Sequence, residues 1–261
     1  GSILKTEENA EFGSKLYSLS NGIKVISKKT DFKNDEIVFK GAQWGGLTNL
    51  STKEIIATKY FSLVNSLGVG SHKGADMPKL LAGVQANLNI FMTPYQLNLF
   101  GNTTPGDLEK YLQLIYLKMT RVNFDKEEFE GRKEGFSSQV GGLSKNPQFK
   151  FSDTLNKFRY NYSERLAGIP AVEELAALSS NDLEAAYTTA TTNLNGAIFA
   201  FSGNIDETKL PALLEKYIAS IPTQTQPQVL NKQNIVKAIK GNNSFTFKAG
   251  KENKSQINHT Y

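Results

Sequence analysis

The fold is decided by residues 37–68, which read IVFKGAQWGGLTNLSTKEIIATKYFSLVNSLG. The first eight of these residues have the composition of a strand, and Gly45 and Gly46 interrupt it. Residues 52–67 then place apolar side chains three and four positions apart, which predicts a helix with one buried face. That face carries Ile56, Tyr60, Leu63, Val64 and Leu67. We therefore expect a strand, a glycine turn and an amphipathic helix at the centre of the domain.

The composition of the chain is that of a globular protein. Of its 261 residues, 39% are hydrophobic and 21% are charged. The net charge is +5 and the lysines are scattered, which disfavours a nucleic-acid partner. The chain has no cysteine, which excludes disulfides and thiolate metal sites and fits an exported bacterial protein, so we favour the periplasm. No apolar run approaches the roughly 20 residues that a membrane span needs.

Strand-like segments along the chain are joined mainly as hairpins. Asn21-Gly22 lies between two alternating runs, and a second pair of alternating segments covers residues 84–91 and 95–100. The apolar run 197–201 predicts a central strand that is covered on both faces. Helices are expected after Pro105 and over 125–140, 149–160, 172–178, 179–189 and 206–221. This order predicts an α+β fold: a two-layer sandwich in which helices pack on one face of a mostly antiparallel sheet.

The domain organisation follows from changes in composition. Residues 1–14 are polar and begin with Gly-Ser, which is typical of a tag, and we expect them to be disordered. Residues 15–222 form the domain. Residues 223–241 have the composition of a linker with nothing to bury. Residues 242–261 contain two short strand-like runs, 245–247 and 255–258, and are expected to start a following domain.

The residues needed for catalysis are scarce. The two histidines, His72 and His259, are far apart, and a catalytic zinc site needs three protein ligands that normally include a closely spaced pair. Ser71 precedes His72, but no Gly-x-Ser-x-Gly elbow is present. The acids of residues 127–134 alternate with basic residues, as on a solvated helix face. We therefore expect neither a catalytic residue nor a metal ligand in this chain.

One aromatic cluster is a candidate contact site. Tyr160, Tyr162 and Arg165 lie close together in the sequence and could hold a peptide or an anion. The alternative is that these rings pack the end of a helix against the core, which is the commoner use of aromatic side chains.

Several of these stretches together resemble the insulinase (pitrilysin) family of zinc peptidases. Residues 19–26 are similar to the family's opening hairpin, and the elements of residues 45–105 keep its order and spacing. The run AIFAFSGNID at 197–206, followed by LLEKYI at 213–218, is similar to the strand, turn and helix that close each family domain. The resemblance implies a sandwich of the processing-peptidase type over residues 15–222.

The resemblance also shows what is missing. Active members of the family carry His-x-x-Glu-His on the helix that corresponds to residues 52–67, with a further Glu on a later helix. Here that helix begins TKEIIATKYF and contains no histidine. The resemblance therefore implies a catalytically silent, C-terminal half, with zinc in the catalytic half. In the active half, the strand matching residues 84–91 binds extended peptide, which makes Asn87 and Asn89 candidates for peptide or partner contact.

The expected function is that of a non-catalytic half of a zinc metallopeptidase. Such a half closes the peptide chamber and contacts the substrate or the catalytic half, which lies on the same polypeptide or on a homologous subunit. The alternative is a stand-alone scaffold subunit that derives from the same fold and binds a partner protein. A His-x-x-Glu-His half upstream in the same open reading frame distinguishes the first from the second.

Overall fold

The computed structural model describes residues 1–248. Within them, seven strands form one sheet and two short strands form a separate ladder. The sheet has the order β1-β2-β3-β9-β4-β7-β6. The strands are β1 (Ile3–Asn9), β2 (Ser14–Leu19), β3 (Lys24–Lys29), β4 (Ile37–Trp44), β5 (Gly68–Val69), β6 (Ala86–Met92), β7 (Gln96–Thr103), β8 (Val122–Asn123) and β9 (Ile198–Gly203).

The sheet is mixed but mostly antiparallel. Only β3 and β9 pair in parallel, because the chain leaves β3 at one side of the sheet and returns as the central strand β9 after a long excursion. The other five pairings in the sheet are antiparallel. The predicted α+β class and its mainly antiparallel sheet are confirmed.

The helices of the described residues form the second layer. They are α1 (Thr52–Thr58), α2 (Phe61–Ser66), α3 (Met77–Leu80), α4 (Leu108–Thr120), α5 (Lys126–Lys145), α6 (Pro147–Arg159), α7 (Val172–Ala177), α8 (Ser180–Thr191) and α9 (Leu210–Leu213), with α9 continuing as a π-helical turn, Leu214–Ile218. A 3₁₀ turn, Gly46–Asn49, joins β4 to α1. The expected amphipathic helix after Pro105 starts at Leu108, because Thr104 and Asp107 first close a turn.

The core lies between the inward face of the sheet and the helices. Along β4, Ile37 and Phe39 are buried while Val38 and Lys40 are exposed, as the alternation of a strand requires. The ring of Phe39 meets Phe199 edge to face at 5.4 Å. The centre of the sheet is therefore fixed by aromatic packing between β4 and β9.

Strand β9 is central, as expected, but it is not covered on both faces. Phe199 and Phe201 are buried, whereas Ile198 is 45% exposed. The helices of the described chain pack on the inward face, and the outward face of the sheet carries several exposed apolar side chains. A continuous apolar run in the sequence cannot distinguish a strand that is covered on both faces from one that is covered on a single face.

The helix expected over residues 52–67 is two helices. Lys59 and Tyr60 donate to carbonyls only three residues back, and Tyr60 has non-helical backbone angles, so α2 starts in a new phase. The prediction that Ile56 lies on the buried face is therefore wrong: Ile56 is 39% exposed and Ile55 is buried in its place. The other predicted residues of that face, from Tyr60 onwards, are buried.

The expectation that residues 1–14 are disordered is also wrong, because Ile3–Asn9 form β1. This strand pairs with β2 and shifts register between Ile3 and Lys5. Its side chains after Ile3 are exposed, so it is held mainly by backbone hydrogen bonds and left no apolar pattern in the sequence.

Residues 223–247 are bound along the domain rather than free, and we call them the strap. Asn195 Nδ2 donates to the carbonyls of Gln224 and Thr225, and Asn49 Nδ2 donates to that of Val229. The expected strand at 245–247 is absent from the described chain: Phe245 stacks on Phe158 of α6 at 5.1 Å instead. The expected strand at 255–258 and His259 lie outside the described residues. The domain boundaries at 222 and 241 stay a prediction.

Candidate functional site

The break between α1 and α2 holds a partly buried ion pair. Lys59 Nζ lies 2.8 Å and 2.9 Å from the two carboxylate oxygens of Glu174, and the Lys59 side chain is only 7% exposed. The Tyr60 hydroxyl lies 2.8 Å from the Ala171 carbonyl and 3.2 Å from Glu174. Burial raises the pKa of Tyr60, and the nearby carboxylate adds to the rise. The pair and the phenol join the helix break to α7.

The single acid of α1 is committed to local structure. Ser51 and Glu54 form a capping box at the start of α1, and Thr189 Oγ1 on α8 donates to Glu54 Oε1 at 2.6 Å. Burial pushes the pKa of Glu54 upward, but the hydrogen bonds from Ser51 and Thr189 outweigh it, so the pKa is lowered. Glu54 is therefore an ionised helix cap with both oxygens engaged.

The donors of this region do not fit a zinc ion. Within residues 1–248 there is no group of three or more His, Cys, Asp or Glu side chains that could hold a metal. His72 is exposed in the loop between β5 and α3. The α1–α2 break offers the Lys59 ammonium, which repels a cation, and the Glu174 carboxylate that it already binds, and Glu54 is committed to the cap of α1. No catalytic step through a metal follows from these residues.

Lys118 on α4 is a buried cation that the sequence pattern did not reveal. Its side chain is aimed at the end of α2, where Nζ donates to the carbonyls of Val64 and Leu67, both at 2.8 Å. The residue is 4% exposed. Burial lowers the pKa of Lys118 to about 8, and the charge of Glu128 opposes that shift. Lys118 caps α2, and a charged residue among apolar positions of α4 was the only signal for it.

The predicted residues Tyr160, Tyr162 and Arg165 lie in one loop after α6. Arg165 Nη2 donates to the carbonyls of Leu47, Thr48 and Leu50, and its Nε is buried without a partner. Arg165 therefore clamps the 3₁₀ turn. Tyr162 is 57% exposed and has a φ of 53°, after Asn161 at 52°. This left-handed pair is costly for a tyrosine and presents its ring to solvent.

The predicted residues Asn87 and Asn89 lie on β6, at one edge of the sheet. Their side chains point to the outward face, where Asn87 Nδ2 donates to Asn102 Oδ1 on β7 at 3.1 Å. Within residues 1–248, these two asparagines share no hydrogen bond and no ring contact with the tyrosine loop. The five predicted contact residues therefore occupy two places on the molecule.

The two edges of the sheet differ in chemistry. Strand β1 carries Lys5, Glu7 and Glu8 and has a register shift, which are features that discourage pairing with another strand. Strand β6 reads ANLNIFM, with no charge and no proline, and pairs with β7 without a shift. Among the described strands nothing pairs with the outer side of β6. The β6 edge is therefore open to a further strand.

The outward face of the sheet is the second unusual surface. The helices of the described chain leave it uncovered. It carries five large apolar side chains that are each about half exposed: Val38, Trp44, Phe91, Phe100 and Ile198. Phe91 and Phe100 meet edge to face at 5.7 Å. Apolar groups concentrated on one face of a domain are typical of an interaction surface.

No family model matches the chain, but comparisons with curated proteins and with solved structures both find zinc proteases of the PqqL type. A PQQL-like zinc protease of Arabidopsis thaliana is 26% identical over 238 residues, which is 88% of this chain and 22% of that protein. The periplasmic protease PqqL of Escherichia coli superposes with a TM-score of 0.73 at 20% identity, over 91% of this chain and 26% of that one. The chain is similar to the PqqL-type zinc proteases. An inactive peptidase M16 domain of Pseudomonas fluorescens also superposes, with a TM-score of 0.64 at 14% identity, over 82% of this chain and 53% of that one.

The relationship to PqqL confirms the insulinase-family resemblance and its fold. The chain spans about a fifth of the length of the curated relatives that it matches. It contains no His-x-x-Glu-His sequence anywhere in its 261 residues. It is therefore a PqqL-related unit without the zinc motif.

Proposed function

We propose that this chain is a non-catalytic unit from the C-terminal half of a larger insulinase-type zinc protease. In this role it closes the peptide chamber and contacts the substrate or the catalytic half, and the zinc belongs to that other half. The observation that carries the proposal is the α1–α2 break, where a PqqL-like fold is kept while Lys59 and Glu174 form a partly buried ion pair and no histidine is present.

The outward face of the sheet is the surface that we assign to the rest of the parent protein. Val38, Trp44 and Ile198 lie on the central strands β4 and β9 and expose large apolar side chains. Because these side chains are already about half buried, covering the rest of each one gains about half of the 1.5 to 3 kcal/mol of full burial, or about 0.7 to 1.5 kcal/mol. In a parent protein as long as these relatives, the other parts of the chain can provide this cover.

The β6 edge is the surface that we assign to the peptide. An extended chain added to β6 gains backbone hydrogen bonds that do not depend on its sequence, which suits a protease that takes varied peptides. Asn87 and Asn89 then lie beside the bound chain. Tyr162, exposed at a distance from this edge, remains a proposed contact for the partner rather than for the peptide. Tyr160 and Arg165 support that loop.

The proposal is tested first on the 261-residue chain. We expect the purified chain to hold far less than one zinc per molecule by elemental analysis and to cleave no peptide in a chelator-sensitive way. Stoichiometric zinc, or peptidase activity that a chelator abolishes, would contradict a non-catalytic role.

The partner role is tested in the full-length parent protein. Val38→Glu and Ile198→Glu place charges on the outward face, and we expect them to reduce peptide cleavage at least tenfold while the unfolding transition of the 261-residue chain is unchanged. Ser152→Glu, on the exposed side of α6, is the matched control and should leave cleavage intact. Full activity of both sheet variants would contradict the assignment. A parent reading frame without a His-x-x-Glu-His half would leave the stand-alone scaffold as the function.

We also propose a periplasmic location. Its support is the absence of cysteine and the likeness to PqqL of Escherichia coli, which is a periplasmic protease. None of the helices in residues 1–248 is both long and apolar enough to span a membrane. Fractionation of cells that express the native gene tests this location.

A further inference from the structure

The outward side chains of β6 and β7 form a continuous surface without charge, which we call the amide–aromatic surface. It consists of Asn87, Asn89, Phe91, Gln96, Asn98, Phe100 and Asn102. Its two ends differ. Asn87 and Asn102 are joined by the amide hydrogen bond, and Phe91 and Phe100 form the edge-to-face aromatic pair.

A strand that pairs with β6 must place its side chains next to this surface. Alternate residues of a strand lie about 7 Å apart on the same face, so three outward side chains of the added strand fall beside Asn87, Asn89 and Phe91. Its inward side chains fall over Leu88 and Met92, which pack on the core and are only partly buried. The register of the added strand is thereby tied to side-chain chemistry on both faces.

We propose that the amide–aromatic surface selects the segment that pairs with β6. That segment is uncharged, with amide or hydroxyl side chains beside Asn87 and Asn89, an aromatic or aliphatic side chain beside Phe91, and apolar residues on its inward side. The inference rests on the proposed function, in which β6 pairs with an extended peptide.

Charge is excluded because no counter-ion lies beside the added strand: Glu36, which accepts from Asn102, and Lys40, opposite Phe100 on β4, are separated from that strand by β6 and β7. A carboxylate or ammonium beside Asn89 gives up part of its hydration, and the side chains of β6 and β7 provide no opposite charge in return. Amide side chains can instead extend the Asn87–Asn102 hydrogen bond, and a ring or aliphatic group can pack on Phe91. Strand β1, at the opposite edge, carries Lys5 and Glu7 and provides no such surface.

The test uses three blocked, fluorescently labelled octapeptides and the 261-residue chain. The neutral peptide is Thr-Asn-Val-Asn-Val-Phe-Val-Thr, and in the other two both Asn residues are replaced by Glu or by Lys. Each is also made with the order of residues reversed, so that parallel and antiparallel pairing are both sampled. Because each cross-strand position contributes a factor of about two to five, we expect the neutral peptide to bind at least fivefold more tightly than either charged peptide.

Two variants locate the selection on this surface. Asn89→Asp introduces one carboxylate beside the bound strand and should shift the ratio of affinities at least fivefold in favour of the Lys peptide. Ser18→Asp makes the same charge change on the outward face of β2 and should leave the ratio unchanged. Phe91→Ala should weaken the neutral peptide while a neutral peptide with Phe replaced by Ala loses little. Thermal unfolding by circular dichroism confirms that each variant is folded.

The outcomes separate this inference from the proposed function. If the three peptides bind wild type within twofold of each other, β6 pairs through its backbone alone, and the selection is refuted while the edge assignment stands. If Asn89→Asp leaves the preference unchanged, the selection lies elsewhere and the inference is also refuted. If no peptide binds, the edge assignment and the selection fail together.

Discussion

Thr189 Oγ1 donates a 2.6 Å hydrogen bond to Glu54 Oε1, and this contact joins α8 to the first turn of α1. A second contact runs the other way: Lys53 Nζ on α1 lies 2.7 Å from Asp182 Oδ1 in the first turn of α8. Each acid also completes the capping box of its own helix. The start of α1 is therefore joined to α8 at two points, at Asp182 near the beginning of α8 and at Thr189 near its end.

The first prediction concerns the cap of α1. Glu54→Ala removes the return hydrogen bond of the capping box and the acceptor of Thr189, so we expect a loss of about 1 to 2 kcal/mol in the free energy of unfolding. Urea unfolding measures this loss. Glu54→Gln keeps an acceptor at this position and is the control, with an expected loss below about 1 kcal/mol. A Glu54→Ala variant as stable as wild type would show that the cross-link contributes nothing.

The second prediction concerns acid. The hydrogen bonds from Lys53 and Ser179 lower the pKa of Asp182 from 3.8 to about 2. The pKa of Asp182 is lower in the folded chain than in the unfolded chain. The contribution of Asp182 to the free energy of unfolding is therefore present above pH 3.8 and disappears as the pH falls towards 2. Carboxyl NMR titration should place the Asp182 midpoint near 2. Lys53→Met should move the midpoint upward, and an unchanged midpoint would rule out Lys53 as the main cause.

The third prediction concerns Lys118. Its ammonium caps α2, so Lys118→Met leaves carbonyls without donors and should cost about 2 to 4 kcal/mol at pH 7. The pKa of Lys118 is lowered from 10.5 to about 8, so between these values the unfolded chain binds more protons, and the stability of wild type rises with pH.

The measurement for Lys118 is the stability difference between wild type and Lys118→Met, followed from pH 7.5 to pH 10.5. Other titrating groups are shared by both proteins and cancel. We expect the difference to grow by up to about 3 kcal/mol, the equivalent of the shift in pKa. A difference that stays constant or shrinks over this range would contradict a Lys118 pKa that is lowered by burial.

The fourth prediction concerns the ion pair at the α1–α2 break. Glu174→Gln leaves the nearly buried Lys59 ammonium without its carboxylate, and we expect a loss of about 2 to 3 kcal/mol. The double variant Lys59→Met with Glu174→Gln removes the unpaired charge and should recover part of that loss. Chemical unfolding of the single and double variants measures both effects. A double variant less stable than Glu174→Gln alone would show that Lys59 stabilises the break without its partner.

The periodicity of apolar residues predicted most of this fold. It failed where contacts between residues far apart in the sequence determine the local structure. The buried stripe of α4 was readable, because Tyr111, Leu112 and Ile115 follow helical spacing and are all buried. Ile56 was misplaced because the helix breaks at Tyr60, whose hydroxyl is held by Ala171 more than 100 residues away. Strand β1 left no pattern, since β2 holds its backbone rather than its side chains.

The candidate site was less predictable than the fold. The scarcity of histidine and the lack of cysteine were visible in the composition, and Asn87 lies on β6, where the sequence predicted a strand. The position of β6 at an edge was not visible, because strand order depends on long-range pairing. Arg165 carried no signal that its guanidinium clamps the carbonyls of a turn, since any surface arginine has the same sequence appearance.

The last prediction concerns the strap, which the sequence predicted to be a free linker. Asn49 holds its middle with two hydrogen bonds: Nδ2 donates to the Val229 carbonyl at 2.8 Å, and Oδ1 accepts from the Asn231 amide at 2.9 Å. Asn49→Ala removes both and leaves the Asn231 amide only its longer 3.2 Å bond to Thr48 Oγ1, so we expect this amide to exchange with solvent at least fivefold faster. Overall stability should fall by less than about 1 kcal/mol, because these bonds are exposed.

Asn243→Ala is the matched control for the strap, because the Asn243 amide bonds only to carbonyls of its own turn, at Lys240 and Gly241. It should leave exchange at Asn231 unchanged. Hydrogen exchange followed by NMR measures both variants, and brief proteolysis at Lys232 gives an independent readout, since a released strap is cut sooner. If wild type already exchanges at Asn231 as fast as an unfolded peptide, the strap is a linker after all.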